Sequence, residues 1–228
     1  MTPQLSVVIP AYNAEPFLAE AVASVFSQSL RLTTEVIIYN DGSSDGTEKV
    51  LRSLGASVVA LGGSVSQGAA YARNRAMEAA QGELLAFLDA DDLWQQDKLE
   101  NQVPLLESSP RPCAVFGRVQ EFNAQGPIGE EQKAALPLAC LLRRNLAMRV
   151  GPFDESLKIG DFADWLARLQ ELPADFLYAE ALVARRRLHE TNLGRRSAEH
   201  RKDYLEVVRR RLARQRAAQP GEENLSGR

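Results

Sequence analysis

The sequence predicts an α/β fold with a mostly parallel, twisted sheet flanked by helices. Short apolar runs of strand length alternate with stretches in which apolar residues recur at helical spacing. In the first half of the chain these apolar runs end in polar or glycine-rich loops. Such alternation is typical of successive β-α units, and ligands bind beyond the carboxyl ends of the strands in sheets of this kind.

The first half of the chain predicts four strands connected in series by helices. The first strand is expected at residues 5–10, a β-branched apolar run that proline ends. Asn13 is the candidate N-cap of the helix that follows, with Pro16 in its first turn, and Ser43 or Ser44 is the candidate cap of the second helix. The other strands are expected at residues 35–39, 57–61 and 84–88, with the third helix at 68–80.

The pattern weakens after Trp94. The expected elements are a helix at 98–106, a strand at 113–119, a loop rich in Gly, Pro and Glu at 123–133, a helical segment at 136–148, an arginine-rich helix at 197–217 and a disordered tail at 219–228.

Composition indicates an ordinary globular protein. The chain has 228 residues, of which 45% are hydrophobic and 25% charged, enough to bury a substantial core. Cys113 and Cys140 are too few for a disulfide framework and form no CxxC pair, so they are expected to be core thiols in a reducing compartment. The first residues do not resemble a signal peptide and no apolar run could span a bilayer, which predicts a cytoplasmic location.

Charge is divided unevenly along the chain. The net charge is −3, but residues 185–216 hold twelve Lys or Arg against four acids. The simplest interpretation of this basic stretch is a solvated surface helix. Alternatively, it contacts phosphates, an anionic membrane surface or an acidic partner. The basic helix could also form the interface of a homodimer. Nucleic acid is not expected as a partner.

Two polar clusters follow predicted strands. Asp89 and Asp91 lie two residues apart after the strand at 84–88, so both carboxylates can face one divalent cation that completes its shell with water and phosphate oxygens. In the cluster at 39–47, Asp41 is placed to accept hydrogen bonds from a ribose or base. For Asp89 and Asp91 the alternative interpretation is that they are helix caps or surface charges. For the cluster at 39–47 the alternative is an ordinary Asx turn.

Four segments together resemble the family 2 glycosyltransferases with the GT-A fold, over about residues 4 to 194. In order, they are Ser6-Val-Val-Ile-Pro-Ala-Tyr-Asn13, Asn40-Asp-Gly-Ser-Ser-Asp-Gly-Thr47, Ala72-Arg-Asn74 and Phe87-Leu-Asp-Ala-Asp-Asp92. The resemblance implies an inverting transfer of a sugar from a nucleotide-sugar donor, with a UDP-sugar as the first candidate, to an unidentified acceptor.

The resemblance also implies which residues form the site. The nucleotide-sugar would contact Pro10, Ala11, Tyr12, Asn13, Asp41, Arg73, Asn74, Asp89, Ala90 and Asp91. Mn²⁺ or Mg²⁺ would be held by Asp89, Asp91 and His189. The alternative interpretation of His189 is an ordinary surface residue. A metal bridging the diphosphate would neutralise charge on the leaving group.

The general base is expected in the second half of the chain. Where the family has a Glu-Asp pair, this chain reads Gly160-Asp161-Phe-Ala-Asp164-Trp165, so the base is Asp161 or Asp164, with Asp161 preferred. Alternatively Asp161 only caps a helix. The rearranged pair, together with Asn40 where the family commonly has Asp, keeps a second function open, a non-catalytic nucleotide-sugar-binding or scaffold protein with the same fold.

The expected domain organisation is a GT-A domain over residues 1–194, with a donor-binding half at 1–92 and an acceptor and catalytic half at 93–194. The basic helix at 195–218 and the tail at 219–228 follow it.

Overall fold

The computed structural model describes residues 2–190 and 201–218 of the chain, with the backbone alone at 201–204 and 215–218. Its helices are α1 (Leu18–Phe26), α2 (Thr47–Leu54), α3 (Ala69–Ala79), α4 (Lys98–Ser108), α5 (Arg144–Val150), α6 (Asp161–Gln170) and α7 (Arg201–Ala218). Its strands are β1 (Leu5–Ala11), β2 (Thr34–Asp41), β3 (Val59–Gly63), β4 (Leu84–Phe87), β5 (Leu93–Trp94), β6 (Cys113–Asn123), β7 (Gly126–Ala134), β8 (Leu141–Arg143) and β9 (Asp175–Arg187).

The strands of the described residues form one sheet in the order β3-β2-β1-β4-β8-β6-β9-β5, with β7 paired to β6. β1 pairs in parallel with both β2 and β4, and β2 pairs in parallel with β3. The strand order reverses after β3, because the chain returns through α3 to place β4 on the other side of β1. Right-handed crossovers therefore put α1 and α2 on one face of the sheet and α3 on the other.

The second half of the sheet is mixed and departs from the sequence-based expectation. The predicted loop at 123–133 is wrong, because residues 126–134 form β7, which pairs antiparallel with β6. The predicted helix at 136–148 is also wrong: Pro137–Ala139 form a single 3-10 turn, β8 inserts between β4 and β6, and the α-helix begins only at Arg144. Pairing with strands distant in sequence overrides the local helical pattern there.

The expected helix caps are corrected as well. Asn13 does not cap α1, which begins at Leu18 with Phe17 at its N-cap. Pro16 lies in the turn at residues 15–17 that precedes the helix, and not in its first turn. Asn13 instead has a positive φ of 48° and accepts a hydrogen bond from the Ser44 amide (2.8 Å). Neither Ser43 nor Ser44 caps α2, whose first amide, that of Thr47, donates to Asp45 (2.9 Å).

A cluster of aromatic side chains joins α6 to the sheet. Phe87 at the end of β4 contacts Phe153, Phe162 and Trp165 edge-on, with ring centroids 5.6–6.1 Å apart. Trp165 is completely buried and its indole N–H donates to the Gly151 carbonyl (2.9 Å). Because Asp161 lies one turn before Trp165, this packing holds the start of α6 close to the end of β4.

The structure also bears on the expectations for the cysteines, for membrane-spanning segments and for the C-terminal tail. Cys113 and Cys140 are buried free thiols, as predicted. Within the described ranges, no helix is both long and apolar enough to cross a membrane. The tail predicted at 219–228 and the start of the helix predicted at 197 lie outside the described residues.

Candidate active site

The candidate site lies where β1, β2 and β4 end side by side. These strands are parallel neighbours, so the segments that follow Ala11, Asp41 and Phe87 meet at one edge of the sheet. The sequence indicated this convergence, because each strand is followed by one of the polar segments singled out above. The sheet therefore brings residues from positions 10–13, 40–47 and 87–92 together.

The loops after β1 and β2 are joined by reciprocal hydrogen bonds. The Asn13 amide donates to Ser43 Oγ (2.9 Å), and the Ala14 amide donates to Thr47 Oγ1 (2.8 Å). Tyr12, held between these contacts and the strand, leaves 54% of its surface exposed. The side chains of Ala11 and Ala90 are buried, and Pro10 is partly buried. Tyr12 is thus the member of this group that offers a large side chain to a ligand.

Asp41 is held inside the site by its own chain. Its carboxylate accepts hydrogen bonds from Ser66 Oγ (2.7 Å) and from the amides of Gln67 (2.9 Å) and Gly68 (2.8 Å). It is only 3% exposed. Asp41 therefore fixes the loop that leads into α3.

Gly42 permits the close packing of this loop. Its φ is +68°, and a Cβ atom there would lie 2.7 Å from the Ser66 nitrogen.

Arg73 on α3 connects the two acidic parts of the site. Its Nη2 donates to Asp89 Oδ1 (2.6 Å), and its Nη1 donates to Asp161 Oδ2. Burial lowers the pKa of Arg73, but the charges of Asp161 and Asp89 outweigh it and raise that pKa above its ordinary value. The guanidinium is therefore a permanent positive charge between the Asp-x-Asp loop and the start of α6.

Asn74, the next residue of α3, is engaged in a different contact. Its amide group donates to the Phe153 carbonyl (2.9 Å) and to Glu155 (2.8 Å), and its oxygen accepts from the Phe153 amide (2.7 Å). With 3% of its surface exposed, Asn74 holds the segment before α6 in place. The structure thus gives Arg73 and Asn74 different surroundings, although they are neighbours in sequence.

The Asp-x-Asp loop is clamped by the end of β9. His189 Nε2 lies 2.8 Å from Asp91 Oδ2, and its ring stacks on Phe17 with centroids 4.7 Å apart. The Arg187 amide donates to Asp92 (2.7 Å), and its side chain donates to the Asp91 carbonyl (2.8 Å). Arg187 belongs to the basic stretch for which contact with phosphates is one alternative, and in the structure it supports the acidic loop.

Three neighbouring carboxylates make this loop strongly electronegative. Burial, followed by the charge of Asp89, raises the pKa of Asp91. Burial and the charges of Asp91 and Asp89 raise the pKa of Asp92 well above its ordinary value. A cation bound beside the loop would stabilise the charged forms of Asp91 and Asp92 and so lower both pKa values.

The donor atoms present suit a hard divalent cation only in part. Asp91 and His189 are brought together, but Asp89 turns toward Arg73. Among the described residues, no group of three or more His, Cys, Asp or Glu is arranged to hold a metal ion. A carboxylate and an imidazole are both suitable ligands for Mn²⁺, so the pair fits an ion whose other ligands are water and phosphate oxygens.

The two base candidates lie in different environments. Asp161 begins α6 and faces Arg73, with 12% of its side chain exposed. Gly160 is the N-cap residue, without a side-chain cap bond, so the alternative that Asp161 only caps the helix is wrong. Asp164 is 4% exposed and pairs with Arg168 (3.0 Å) and Arg214 (3.3 Å), which makes it part of an ion-pair cluster that connects α6 and α7.

Sequence reasoning missed three residues that shape this site. Phe17 stacks on His189, Glu20 pairs with Arg187 (2.6 Å), and Glu155 binds Asn74 (2.8 Å). Phe17 and Glu20 lie in and just before the first helix, where apolar and charged residues are ordinary. No local signal distinguishes Phe17 and Glu20, because their partners His189 and Arg187 are more than 80 residues away in the sequence.

Comparison with known proteins gives a family match. The sequence model described as "Glycosyl transferase family 2" matches residues 6–171. The putative teichuronic acid biosynthesis glycosyltransferase TuaG of Bacillus subtilis is 41% identical over 115 residues, covering 49% of this chain and 44% of TuaG. The Escherichia coli UDP-Glc:alpha-D-GlcNAc-diphosphoundecaprenol beta-1,3-glucosyltransferase WfgD is 38% identical over 127 residues, covering 55% of this chain and 49% of WfgD. The matched part is less than half of either relative.

Solved structures support the fold class. S. aureus TarS 1-349 in complex with UDP superposes with a TM-score of 0.72 at 19% identity, covering 90% of this chain and 63% of that one. The mannosyltransferase PcManGT from Pyrobaculum calidifontis, in complex with GDP-Man and Mn²⁺, gives a TM-score of 0.70 at 22% identity, with coverages of 92% and 65%. The predicted α/β GT-A fold is therefore confirmed.

Proposed function

Because the chain belongs to glycosyl transferase family 2, we propose that it transfers a sugar from a nucleotide-sugar donor to an acceptor hydroxyl in one metal-assisted, inverting displacement. The observation that carries this proposal is the position of Arg73 between Asp89 and Asp161. Asp89 belongs to the acidic loop that we propose faces the donor diphosphate, and Asp161 is the carboxylate that we propose as the general base. Both contact the side chain of Arg73. A sugar held beside the loop would thus lie within reach of Asp161.

Asp161 acts as the general base in this proposal. Its carboxylate takes the proton of the acceptor hydroxyl as that oxygen forms a bond to the anomeric carbon, while the bond from the anomeric carbon to the diphosphate oxygen breaks. Among the contacts of the described residues, Arg73 engages Oδ2 of Asp161, which leaves Oδ1 to receive the proton. The base and the leaving group then lie on opposite sides of the carbon, which inverts its configuration.

The remaining predicted site residues bind and orient the donor. Tyr12, whose ring is exposed, would stack on the nucleobase of the donor, and the backbone of residues 10–13 would line the same edge. Asp41 and Asn74 act by holding the loops beside the donor, in agreement with their buried hydrogen bonds. Asp91 and His189 would hold Mn²⁺ or Mg²⁺, which, when bound, neutralises charge on the diphosphate.

The names of the relatives suggest the first substrates to test. WfgD is named for UDP-Glc as donor and for an α-D-GlcNAc unit on diphosphoundecaprenol as acceptor. We propose UDP-sugars as the first donor class for this chain and a sugar on a lipid diphosphate as the first acceptor class. TarS and PcManGT are 19% and 22% identical to this chain, which shows a common fold and not a common donor. GDP-Man, the donor bound to PcManGT, is therefore included in the screen as an alternative.

A donor screen by thermal unfolding tests the binding half of the proposal. UDP-, GDP-, CMP- and dTDP-sugars are added with and without Mn²⁺ or Mg²⁺, since a ligand at about 100 times its dissociation constant stabilises a protein by about 2.7 kcal/mol. We expect one donor class to stabilise the protein in a metal-dependent way, and Asp91→Ala to remove this effect. An unchanged melting curve with all donors would contradict the proposal.

Turnover tests the catalytic half. Release of nucleoside diphosphate is followed with the stabilising donor, first with water and then with a synthetic sugar diphosphate lipid as acceptor. Asp161→Asn should reduce kcat by a factor of about 10² to 10⁴, the usual contribution of a general base, with unchanged donor-induced stabilisation. Asp164→Asn is the matched control on the same helix and should retain most of the activity.

The second candidate function, a non-catalytic nucleotide-sugar-binding protein, is motivated by Gly160, which stands where the resemblance places the Glu of the acid pair. Donor binding without turnover on any acceptor tested would favour it. Equal activity in wild type and Asp161→Asn would instead reject Asp161 as the base.

A further inference from the structure

Helix α7 has one face anchored to the rest of the protein. Val207 is buried, with 8% of its surface exposed. Arg210 forms an ion pair with Asp154, and Arg214 pairs with Glu171 (2.9 Å) and Asp164 (3.3 Å). Positions 207, 210 and 214 lie on one side of a helix, because residues three and four apart are neighbours on its surface. The contacts therefore define which side of α7 faces α6.

The opposite side of α7 presents an apolar stripe to solvent. Leu205, Val208 and Leu212 are 59%, 54% and 47% exposed. Their spacing of three and four residues aligns them, and at about 100° per residue their stripe lies roughly opposite the anchored face. Arg209 and Arg211 are also exposed and occupy positions on either side of this stripe. We call the surface formed by Leu205, Val208, Arg209, Arg211 and Leu212 the outer face of α7.

The charge of α7 is opposite to that of the rest of the chain. Its sequence, residues 201–218, holds seven Lys or Arg and two acids, a net charge of +5, whereas the rest of the chain has a net charge of −8. Arg210 and Arg214 are paired with the body of the protein, but Arg209 and Arg211 extend from the outer face. An apolar stripe flanked by arginines is the pattern of helices that lie in the interface of a membrane.

We propose that the outer face of α7 docks on a membrane surface that carries anionic headgroups. In this position the aliphatic side chains enter the boundary between headgroups and acyl chains, and the arginines contact lipid phosphates. The anchored face keeps its ion pairs with α6 and with Asp154, so the helix attaches the folded domain to the membrane without unfolding from it. This inference does not depend on the proposed reaction.

A second copy of the chain fits the outer face less well. Pairing two outer faces would bring two helices of charge +5 together, and this repulsion has no compensating acid among the residues of the stripe. Three aliphatic side chains are also few beside the roughly 20–30 residues that each partner contributes to a standard interface. Charge complementarity therefore favours an anionic surface over self-association.

The test is flotation of the full chain with lipid vesicles in a density gradient. One set of vesicles is pure phosphatidylcholine, and the other contains one part of phosphatidylglycerol to three parts of phosphatidylcholine. We expect binding to the anionic vesicles, weakened by added salt, and binding to the neutral vesicles lower by about tenfold. No binding to either set, or equal binding to both, would overturn the proposal.

Two variants and a matched control assign the binding to the outer face. The triple variant Leu205→Ser, Val208→Ser, Leu212→Ser should bind the anionic vesicles about tenfold more weakly, and Arg209→Gln, Arg211→Gln should lose most of the preference for them. The control carries Val59→Ser, Ile128→Ser and Met148→Ser, three exposed apolar residues on other elements, and should bind like wild type. Equal losses in the control and the triple variant would contradict a specific docking face.

Sedimentation velocity separates the membrane from a second copy as the occupant. The wild type and the triple variant should both sediment as monomers at the concentration used for flotation. A dimer that the triple variant loses would overturn the proposal in favour of self-association through the same face. Because the substituted residues are exposed, thermal unfolding should be similar for all variants, which shows that any loss of binding is not a loss of fold.

Discussion

Arg73 on α3 and Asp161 at the start of α6 are 88 residues apart in the sequence and form a buried ion pair. The same guanidinium also donates to Asp89, so one side chain spans both halves of the site. A buried charge that loses its partner is costly, because neither water nor another group replaces it. The pair therefore affects both the stability of the domain and the geometry of the proposed reaction.

Replacement of Arg73 should lower stability and activity together. Arg73→Gln leaves two carboxylates without their cation, and we expect a loss of about 3 kcal/mol in the free energy of unfolding. Arg73→Lys restores the charge but not the two-nitrogen bridge, so it should recover stability better than kcat. Urea unfolding and donor turnover measure the two effects. The exposed Arg52→Gln is the control, and an Arg73→Gln variant as stable as this control would show that the bridge is unimportant.

Loss of the Asp164 carboxylate should loosen α7. Asp164 contacts Arg168 and Arg214, and charged hydrogen bonds of this kind contribute about 2 kcal/mol. Asp164→Asn should therefore increase hydrogen exchange of the α7 amides and reduce the free energy of unfolding by about that amount. Glu171→Gln, which weakens the other contact of Arg214, should have a smaller effect of the same kind. Unchanged exchange in α7 for both variants would refute this anchoring role.

Substitution of Asp91 should have opposite effects with and without metal. In the metal-free protein at pH 7, Asp91→Asn removes a carboxylate whose charge is disfavoured first by burial and then by the neighbouring carboxylates, so the protein should be as stable as wild type or more stable. With Mn²⁺ and donor, the variant should lack the stabilisation that wild type gains. Melting temperatures in chelator and in Mn²⁺ with donor give both values.

His189→Ala is the companion variant. It should weaken the Mn²⁺ response without abolishing it, because Asp91 remains as a ligand. Full retention of the response in both variants would remove this pair from the proposed metal site.

The buried Lys98 should make stability depend on pH. Its amine contacts Gln102 (2.6 Å) and the face of Trp94, and burial lowers its pKa from 10.5 to about 7. Between these two pH values the unfolded chain binds a proton that the folded chain lacks, so the contribution of Lys98 to stability rises with pH from about 7 to 10.5 and is least favourable below that window. The difference amounts to several kcal/mol, since one pKa unit corresponds to about 1.4 kcal/mol.

The comparison of wild type with Lys98→Met isolates this effect. Urea unfolding at a series of pH values across the window should show wild type gaining stability relative to the variant as pH rises. Lys49→Met changes an exposed lysine of α2 and should leave the pH dependence of wild type intact. Parallel curves for wild type and Lys98→Met would mean that the amine is solvated in the folded protein.

The first half of the fold, and the sheet edge at which the candidate site lies, can be predicted from the sequence alone. The parallel strands β1, β2 and β4 are local apolar runs, and each is followed directly by its polar loop, so a short window of sequence contains the whole signal. The order of the polar segments was sufficient for the family resemblance. The sequence therefore predicts Asp41, Asp89 and Asp91 at one edge of the sheet, and the structure has them there.

The second half of the sheet and the surroundings of Asp161 and Asp164 depend on tertiary contacts, because the partners in these contacts are far apart in sequence. The segment at 136–148 has a helical pattern, yet β8 forms there since β4 and β6 offer backbone hydrogen bonds on both sides. No spacing rule distinguishes Asp161 from Asp164, and only the packing of Trp165 against Phe87 directs the first toward Arg73 while Arg168 and Arg214 engage the second. Local propensity depends on neighbouring residues, whereas pairing of strands and of buried charges depends on the whole folded chain.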